Sequence, residues 1–578
     1  IIMPDKVSKT RFNKAPVIGG KGRTRFDLSH PILTTGNTGE FIPILAEPVF
    51  PGETFSLKNA SLTRLETSLH QTMDNAYVEF AYFFVPNRII WDDFEKFLGA
   101  SDNPWAQQNT YTIPQLRLTD TSGSVRIYTG SILNHLGVPA GSYGSGTSDP
   151  YYEINALPLR AIFQVWNDWY RDENYDTIIA FSKNSNDLNA NFAFVLNGSA
   201  VYPNTADNLH VNRFKDIFST ALPAPQKGSE ITFGVGGLAP IIAGSTAHNT
   251  SGALDFHYSG DNGGGYHLLY DDVDSLGNHK LGVTNNGTAT VTGTVNTIDR
   301  TNAVADLSQA TLVTINQLRL SIAAQAIKER DARGGTRYKE KIYSTWKVQA
   351  NDLELDRSEF LGGKRIPISM MEVLQTSETG TTVLGTNAGV SKTIDVSDGF
   401  VKSFTQYGWI VGFVYVRTSR SYSQGIDRKL RDKTYYDLYD PMLDNIGEVG
   451  VKKSEIFSLI DDSTDPGATY VTSATAVVNG NSNWAYQEAW YHLKERCGRF
   501  SGYFQPGVQY TMDSWHYGDS YKIAPQMSAS WLKEGPEQVD RTIAVQSSAS
   551  YQWTFNIYFE LYATRQMAKY SIPNTFGF

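Results

Sequence analysis

Apolar and aromatic residues recur along the chain in patterns that predict mainly β-strands. Residues 76–85 (AYVEFAYFFV) are rich in aromatic and β-branched side chains, and residues 400–417 predict strands broken near Gly408 or Gly412. Residues 551–564 (YQWTFNIYFELYAT) alternate, so every second side chain shares one face. The residues of that face are Trp553, Phe555, Ile557, Phe559 and Leu561. Because these segments are spread over the whole chain, we expect them to belong to one sheet system.

Two segments have the apolar spacing of amphipathic helices. They are residues 159–172 and 312–333, and Gly334–Gly335 marks the end of the second. The first stripe consists of Ile162, Val165, Trp166 and Trp169. The second stripe consists of Ile315, Leu318, Ile322, Ala326 and Ile327. We expect both stripes to pack into the core.

The composition changes after Pro225. Residues 226–310 are rich in glycine, threonine, asparagine and serine and hold few large apolar side chains. Such a segment cannot build a large core of its own, so it predicts an exposed insertion. The 578 residues are too many for one simple core. We therefore divide the chain into a basic arm (1–25), the first part of a β-scaffold with a helical insertion (26–225), the exposed insertion, and the rest of the scaffold (311–578).

Charge is distributed unevenly. The net charge of −9 argues against a surface that is basic all over for nucleic acid, but residues 1–25 hold seven basic side chains and one acid. This arm predicts contact with phosphates, or alternatively a solvated tail or a strap that lies on a neighbouring subunit. No apolar run reaches the roughly 18 residues of a membrane helix. The single cysteine, Cys497, excludes an internal disulfide and fits a reducing compartment.

No motif indicates a catalytic, metal or cofactor site. Residues 234–239 match a dinucleotide fingerprint in form, but Pro240 follows where a helix is required. Residues 272–283 begin like a calcium loop, but Leu276 and Val283 replace required oxygen ligands. Carboxylates far apart in the sequence can still pair in a glycosidase site. A secreted β-sandwich carbohydrate-binding protein or glycosidase therefore stays open as the alternative.

Twelve short segments recur in the order of a known family. The most specific is ERDARGGTRY (329–338). The others are RFDLSH (25–30), FPGETF (50–55), FFVPNR (83–88), WDDFEKF (91–97), LPLRAIFQVWNDWYRDEN (157–174), ALPAPQKG (221–228), EFLGG (359–363), QTS (375–377), SQGID (423–427), VDRTIAV (539–545) and YSIP (570–573). Together they resemble the major capsid protein of the microviruses, most closely the gokushovirus branch that infects bacteria. Residues 142–150, 226–310 and 461–483 depart from the family's pattern.

The resemblance implies an all-β fold, an eight-stranded viral jelly-roll β-sandwich with long loop insertions and a few helices. It implies a structural protein and not an enzyme, repeated sixty times in a T=1 icosahedral shell around circular single-stranded DNA. The implied partners are further copies of the chain, the packaged DNA, a small basic packaging protein, a scaffolding protein and a bacterial surface receptor. No cofactor and no membrane insertion are expected. The implied location is the virion, assembled in the bacterial cytoplasm.

Three groups of residues are candidate sites under this resemblance. The basic arm is expected to face packaged DNA. Its candidate residues are Arg11, Lys14, Arg23 and Arg25. The 329–338 segment predicts an ion-paired structural corner or a subunit contact. Its candidate residues are Glu329, Arg330, Asp331, Arg333 and Arg337. The insertion is expected to form protrusions on the threefold axes that contact the host. Its candidate residues are Asp255, His257, Tyr258, Tyr266, Asp271 and Asp272.

Overall fold

The computed structural model of the chain contains two compact units. The first is formed by residues 1–225 and 330–578, and the second by residues 226–329. The residues that the structure describes are 22–98, 111–118, 125–143, 152–185, 188–189, 194–196, 199–205, 209–228, 241–243, 256–258, 267–273, 279–285, 289–291, 298–301, 303–305, 315–334, 338–349, 351–374, 387–444, 446–459, 482–567 and 569.

Among the described residues of the first unit, eight long strands form the main framework. They are β1 (His30–Gly36), β2 (Ile42–Val49), β3 (Thr54–Leu65), β4 (Ala76–Pro86), β5 (Glu359–Pro367), β6 (Thr393–Ser403), β7 (Gly408–Thr418) and β8 (Trp553–Arg565). One sheet has the order β1-β8-β3-β6 and the other has the order β5-β4-β7-β2, with antiparallel neighbours throughout. This arrangement confirms the expected jelly-roll β-sandwich.

The main core lies between the two sheets. The predicted apolar face of β8 is buried there, from Trp553 to Leu561, with each side chain no more than 1% exposed. The second sheet contributes every other residue of β4 to the same core, including Phe80 and Phe84. The alternation read from residues 551–564 is therefore confirmed, because period-two patterning places alternate side chains on one face of a strand.

The strand β4 is also buried on its other face. Phe83 and Val85 pack there against α1 (Leu157–Val165), which continues as a π-helical turn, Trp166–Tyr170. Burial on both faces explains why β4 reads as a continuous apolar run rather than an alternating one. The predicted stripe of this helix does pack into the core, and its last member, Trp169, is partly buried.

The strand break predicted within residues 400–417 lies just before the first of its two candidate glycines. The chain leaves β6 after Ser403 and enters β7 at Gly408. The second candidate, Gly412, lies inside β7, where the pairing with β2 shifts register between Gly412 and Phe413. The glycine is accommodated there as a local irregularity and does not end the strand.

The second predicted helix forms, but its apolar stripe is exposed. The helix α2 (Ile315–Gly334) is followed by α3 (Tyr338–Trp346). On α2, Leu318, Ile322 and Ile327 are 36%, 62% and 48% exposed. The prediction that this stripe packs into the core is wrong. Apolar periodicity identifies a helix face, but it does not say whether the same chain covers that face.

The remaining elements are short. The other α-helices are Asn87–Ile90, Phe94–Phe97, Ile132–His135, Lys453–Ile456, Tyr491–Lys494, Ala529–Leu532 and Glu537–Asp540. The 3-10 helices are Leu353–Leu355, Arg428–Leu430, Tyr435–Asp437, Pro441–Leu443, Gly502–Phe504 and Asp513–Trp515. The short strands of the first unit are Thr24–Asp27, Gln115–Arg117, Val125–Ile127, Gly141–Tyr143, Glu153–Asn155, Leu188–Asn189, Phe194–Leu196, Ser199–Val201, Met370–Leu374, Asn387–Ser391, Ser421–Tyr422, Glu448–Lys452, Asn483–Glu488 and Gly498–Arg499. Those of the second unit are Ile241–Ala243, Phe256–Tyr258, His267–Val273, His279–Asn285, Ala289–Val291, Ile298–Thr301 and Ala303–Ala305.

Candidate functional site

A buried ion network joins the two long connections of the sandwich, 87–358 and 419–552. Asp519 accepts a hydrogen bond from Arg213 at 2.9 Å and another from Arg420 at 2.8 Å. Arg420 also lies 2.9 Å from a carboxylate oxygen of Glu534. The side chains of Arg420, Asp519 and Glu534 are at most 2% exposed. The network therefore ties segments that are distant in sequence into one unit.

The charges in this network compensate each other. Burial alone would raise the pKa of Asp519, but the guanidinium groups of Arg213 and Arg420 outweigh it and hold that pKa below its ordinary value. Glu534 accepts further hydrogen bonds from the backbone amide and the hydroxyl of Thr418, at 3.1 and 2.6 Å. The charged form of Asp519 is therefore stabilised inside the protein, and Glu534 is held by contacts with Arg420 and Thr418.

The same network bears on the glycosidase alternative, which requires two carboxylates facing an open cleft. Asp519 and Glu534 both contact Arg420, and both side chains are 0% exposed. A sugar cannot reach such a pair. Among the residues that the structure describes, no group of three or more histidine, cysteine, aspartate or glutamate side chains is arranged to hold a metal ion.

The 329–338 segment forms ion pairs within the chain. Arg333 contacts Glu448, whose side chain is 1% exposed, and lies 3.8 Å from Glu488. Those two glutamates face each other across a strand pair, where like charges repel, so Arg333 compensates both. Asp331 contacts Lys341 and lies 3.6 Å from Arg330.

The two ends of that segment have different surroundings. Glu329 accepts a hydrogen bond at 3.0 Å from Gln325, one turn earlier on α2. Arg337 lies outside the described residues. The candidate corner residues are thus engaged through their own chain where they are described, and whether a second subunit also contacts them stays a prediction.

Half of the candidate residues of the basic arm are described. Arg23 and Arg25 are exposed, and the strand that contains Arg25, Thr24–Asp27, pairs with β8. The guanidinium carbon of Arg25 lies 3.8 Å from the centre of the Tyr562 ring, which is a cation–π contact. Arg11 and Lys14 lie outside the described residues.

The candidate host-contact residues belong to the second unit. His257 and Tyr258 lie in the strand Phe256–Tyr258, which pairs with Ile298–Thr301. Asp271 and Asp272 lie in His267–Val273, which pairs with His279–Asn285. The two other candidates, Asp255 and Tyr266, lie outside the described residues.

Sequence reasoning missed a large exposed apolar surface in residues 434–444 (TYYDLYDPMLD), which we name the tyrosine arm. Tyr435, Tyr436 and Met442 are 71%, 74% and 92% exposed. The available signal was composition, since three tyrosines, one methionine and two leucines occur among eleven residues. Aromatic residues and methionine are enriched where proteins contact one another.

Sequence reasoning also missed an open groove, which we name the aromatic-basic groove. Its volume is about 530 Å³. Its aromatic lining residues are Phe80, Phe83, Trp169, Tyr170, Phe360 and Tyr415. Its charged lining residues are Glu79, Arg213, Lys215, Lys364, Arg365 and Arg417. These residues come from β4, β5, β7, the π-helical turn Trp166–Tyr170 and the loop at 211–215, so no single sequence segment reveals the groove.

No helix among the described residues combines the length and the apolar character needed to cross a membrane. Comparison with known proteins identifies similar chains over nearly the full length. A model of the family described as capsid protein (F protein) matches residues 17–575. The capsid protein VP1 of Spiroplasma virus 4 is 32% identical over 574 residues, covering 95% of each chain.

Two further relatives extend the comparison to other hosts. The capsid protein VP1 of Bdellovibrio phage phiMH2K is 30% identical over 570 residues, covering 96% of each chain. The capsid protein VP1 of Chlamydia phage 1 is 27% identical over 605 residues, covering 98% of each chain. The resemblance to microvirus capsid proteins is therefore confirmed. With its jelly-roll sandwich and this end-to-end similarity, the chain belongs to the phage capsid protein (F protein) family.

Proposed function

We propose that this protein assembles with copies of itself into a closed T=1 shell of sixty subunits that encloses circular single-stranded DNA. The proposal rests on the contrast between a fully buried core and a large exposed apolar surface. The sandwich buries its own apolar faces, whereas the tyrosine arm and the stripe of α2 remain exposed in the single chain. Exposed apolar surface of this extent is typical of a protein that contacts partners.

The sandwich is suited to tiling. Its two sheets cover each other, and its eight long strands form a rigid block from which long connections extend. Subunits around closed symmetry axes meet through heterologous contacts, in which one surface patch binds a different patch on the neighbour. Long connections supply such patches without disturbing the sandwich.

The outer face of the first sheet supports contact with single-stranded DNA. Arg23, Arg25 and Arg64 are exposed, and Tyr558 on β8 is 48% exposed. Single strands are bound by basic side chains together with aromatic rings on which bases stack. We therefore propose that this face and the basic arm line the shell interior. A small basic packaging protein and a scaffolding protein complete the proposed partners.

We propose further that the second unit contacts a bacterial surface receptor. The unit lies between β4 and β5 in the chain, so it can vary without interrupting the sandwich. The histidine, tyrosine and aspartate side chains that the strands around His257 and Asp271 contain could make such a contact. We propose assembly in the bacterial cytoplasm and no catalytic activity.

The shell is tested by sedimentation and ultraviolet absorbance of native particles. Sixty copies of the 64.2 kDa chain correspond to about 3.9 MDa of protein, and enclosed DNA adds the ultraviolet absorbance of nucleic acid. The expected result is one particle of that protein mass that contains single-stranded DNA. A folded chain that stays monomeric under every condition in which its relatives assemble would contradict the proposal.

A further inference from the structure

The tyrosine arm is exposed but its backbone is fixed. The carboxylate of Asp437 accepts hydrogen bonds from the backbone amides of Lys433 and Thr434, at 3.0 and 2.7 Å. Asp440 accepts one from the amide of Met442 at 2.8 Å. Such side-chain caps hold the chain in short turns. The arm therefore presents its rings in a defined arrangement, which reduces the entropy lost on binding.

The base of the arm is fixed to the first unit. The indole nitrogen of Trp490 donates a hydrogen bond to the carbonyl oxygen of Leu443 at 2.9 Å. The rings of Tyr439 and Trp490 lie 5.6 Å apart in an edge-to-face contact. The exposed rings of Tyr435 and Tyr436 come before these anchoring residues in the chain. A ring held outward from a fixed base is placed to enter a pocket on another molecule.

The aromatic-basic groove has the chemistry to receive tyrosines. Tyr415 and Phe83 line it from the outer face of the second sheet, and Trp169 and Phe360 line it as well. Its volume falls within the range of roughly 300–1,000 Å³ found for binding pockets. Asn212 also lines the groove, and its side-chain amide nitrogen donates a hydrogen bond to the carbonyl oxygen of Tyr170 at 3.0 Å.

The charges of the arm and the groove are complementary. Residues 434–444 contain three aspartates and no basic residue. The groove is lined by five basic side chains and one acid, Glu79, which Arg365 and Arg417 already bind. At the open side, the side chains of Lys215, Lys364 and Arg365 are 51%, 42% and 52% exposed, and each also contacts one carboxylate of its own chain, from Asp172, Asp395 and Glu79 respectively. Because these cations keep about half of their side-chain surface exposed, they can also attract a negative arm.

We propose that the tyrosine arm of one copy binds the aromatic-basic groove of a neighbouring copy. The arm does not fill the groove of its own chain, because its rings are exposed and none of its residues lines that groove. The contact joins two different patches, as closed shells require. This inference rests on the shell proposed above and identifies one of its subunit contacts.

The direct test measures binding of a labelled synthetic peptide of residues 432–446 to the full chain by fluorescence anisotropy. The groove variant Lys215→Gln/Lys364→Gln removes two exposed charges and leaves the aromatic lining unchanged. The matched control Lys392→Gln/Lys522→Gln removes the same charge at exposed lysines outside the groove. We expect saturable binding to the wild type and to the control, weakened about tenfold or more in the groove variant and by added salt.

Three outcomes of the peptide test would overturn the inference. The first is absence of binding to the wild-type chain. The second is equal weakening in the groove variant and in the control, which would mean a general charge effect. The third is binding of a scrambled peptide with the same affinity. If a thymidine oligonucleotide binds the wild type but not the groove variant, while the peptide binds neither, the groove belongs to the genome and not to a second copy.

A second variant tests the arm within the whole protein and separates this inference from the shell itself. Tyr435→Ser/Tyr436→Ser removes both exposed rings and keeps the aspartate caps, so the subunit is expected to fold normally. We expect its particle yield by sedimentation to fall at least about tenfold. If the wild type forms particles and this variant forms them equally well, the arm contact is wrong and the shell stands. If the folded wild type forms none, the shell itself is contradicted, whatever the peptide does.

Discussion

The buried ion network and the tyrosine arm use polar groups in opposite ways. In the network, Asp519 has its charge and its hydrogen bonds satisfied by Arg213 and Arg420 from its own chain. In the arm, Asp437 fixes a turn that leaves Tyr435 and Tyr436 uncovered. The charge of Asp519 is thus compensated within the subunit, whereas the arm leaves aromatic surface exposed. Changes in the network should affect folding, and changes in the arm should affect association.

The largest expected effect comes from breaking the network. Replacing Asp519 with Asn removes the carboxylate that Arg213 and Arg420 share and leaves Arg420 with Glu534 alone; breaking a buried ion pair in this way typically costs about 3–5 kcal/mol. We expect urea unfolding of the free subunit to show a loss of that size. The exposed Asp432→Asn is the matched control and should change the free energy of unfolding by less than about 0.5 kcal/mol. A loss below about 1 kcal/mol at position 519 would show that the network is not a major support of the fold.

The pH dependence of stability provides a second test of the contribution of Asp519. Because the pKa of Asp519 is lower in the folded state than in the unfolded state, its contribution is fully present above the unfolded pKa of about 3.9. That contribution is lost as the pH falls through the folded pKa. We expect the wild-type subunit to lose up to about 1.4 kcal/mol more per pH unit in this acid range than Asp519→Asn does. Parallel stability curves for the two proteins between about pH 5 and 2 would contradict this assignment.

The smallest expected effect on folding comes from the exposed stripe of α2. Replacing the stripe residue Ile322 and its exposed neighbour Leu320 with Gln keeps good helix formers at positions that are 62% and 70% exposed. We expect the free energy of unfolding to change by no more than about 0.5 kcal/mol. The buried control Ile162→Ala, on the stripe that does reach the core, should cost about 2–5 kcal/mol. Similar losses in both variants would show that the α2 stripe is covered within the subunit.

How much was predictable from the sequence depended on the range of the interaction. The face of β8 from Trp553 to Leu561 was predicted correctly, because alternation along one strand is a local signal. The stripe of α2 has an equally clear local signal, yet the prediction that it is buried is wrong. Whether a helix face is covered depends on which other segments pack against it, and the local pattern does not contain that information. The jelly-roll topology came from the resemblance to a family and not from periodicity.

Contacts between residues far apart in the chain could not be predicted from a single sequence. Arg213 and Asp519 are separated by 306 positions, and nothing near either residue indicates the other. The partners of Arg333, which are Glu448 and Glu488, were equally hidden, although an ion-paired corner was expected around that arginine. The aromatic-basic groove needs residues from several strands and loops. The tyrosine arm was also missed, and only the composition of residues 434–444 could have indicated it.

The most direct measurement is hydroxyl-radical footprinting of assembled particles and dissociated subunits, with oxidation of individual residues read by mass spectrometry. Tyr435, Tyr436 and Met442 should be oxidised readily in free subunits and strongly protected in particles, because a neighbouring copy covers them. Trp553 should stay protected in both states, since it is buried in the sandwich core. Equal oxidation of the arm in particles and subunits would contradict the claim that its exposed surface is completed by assembly.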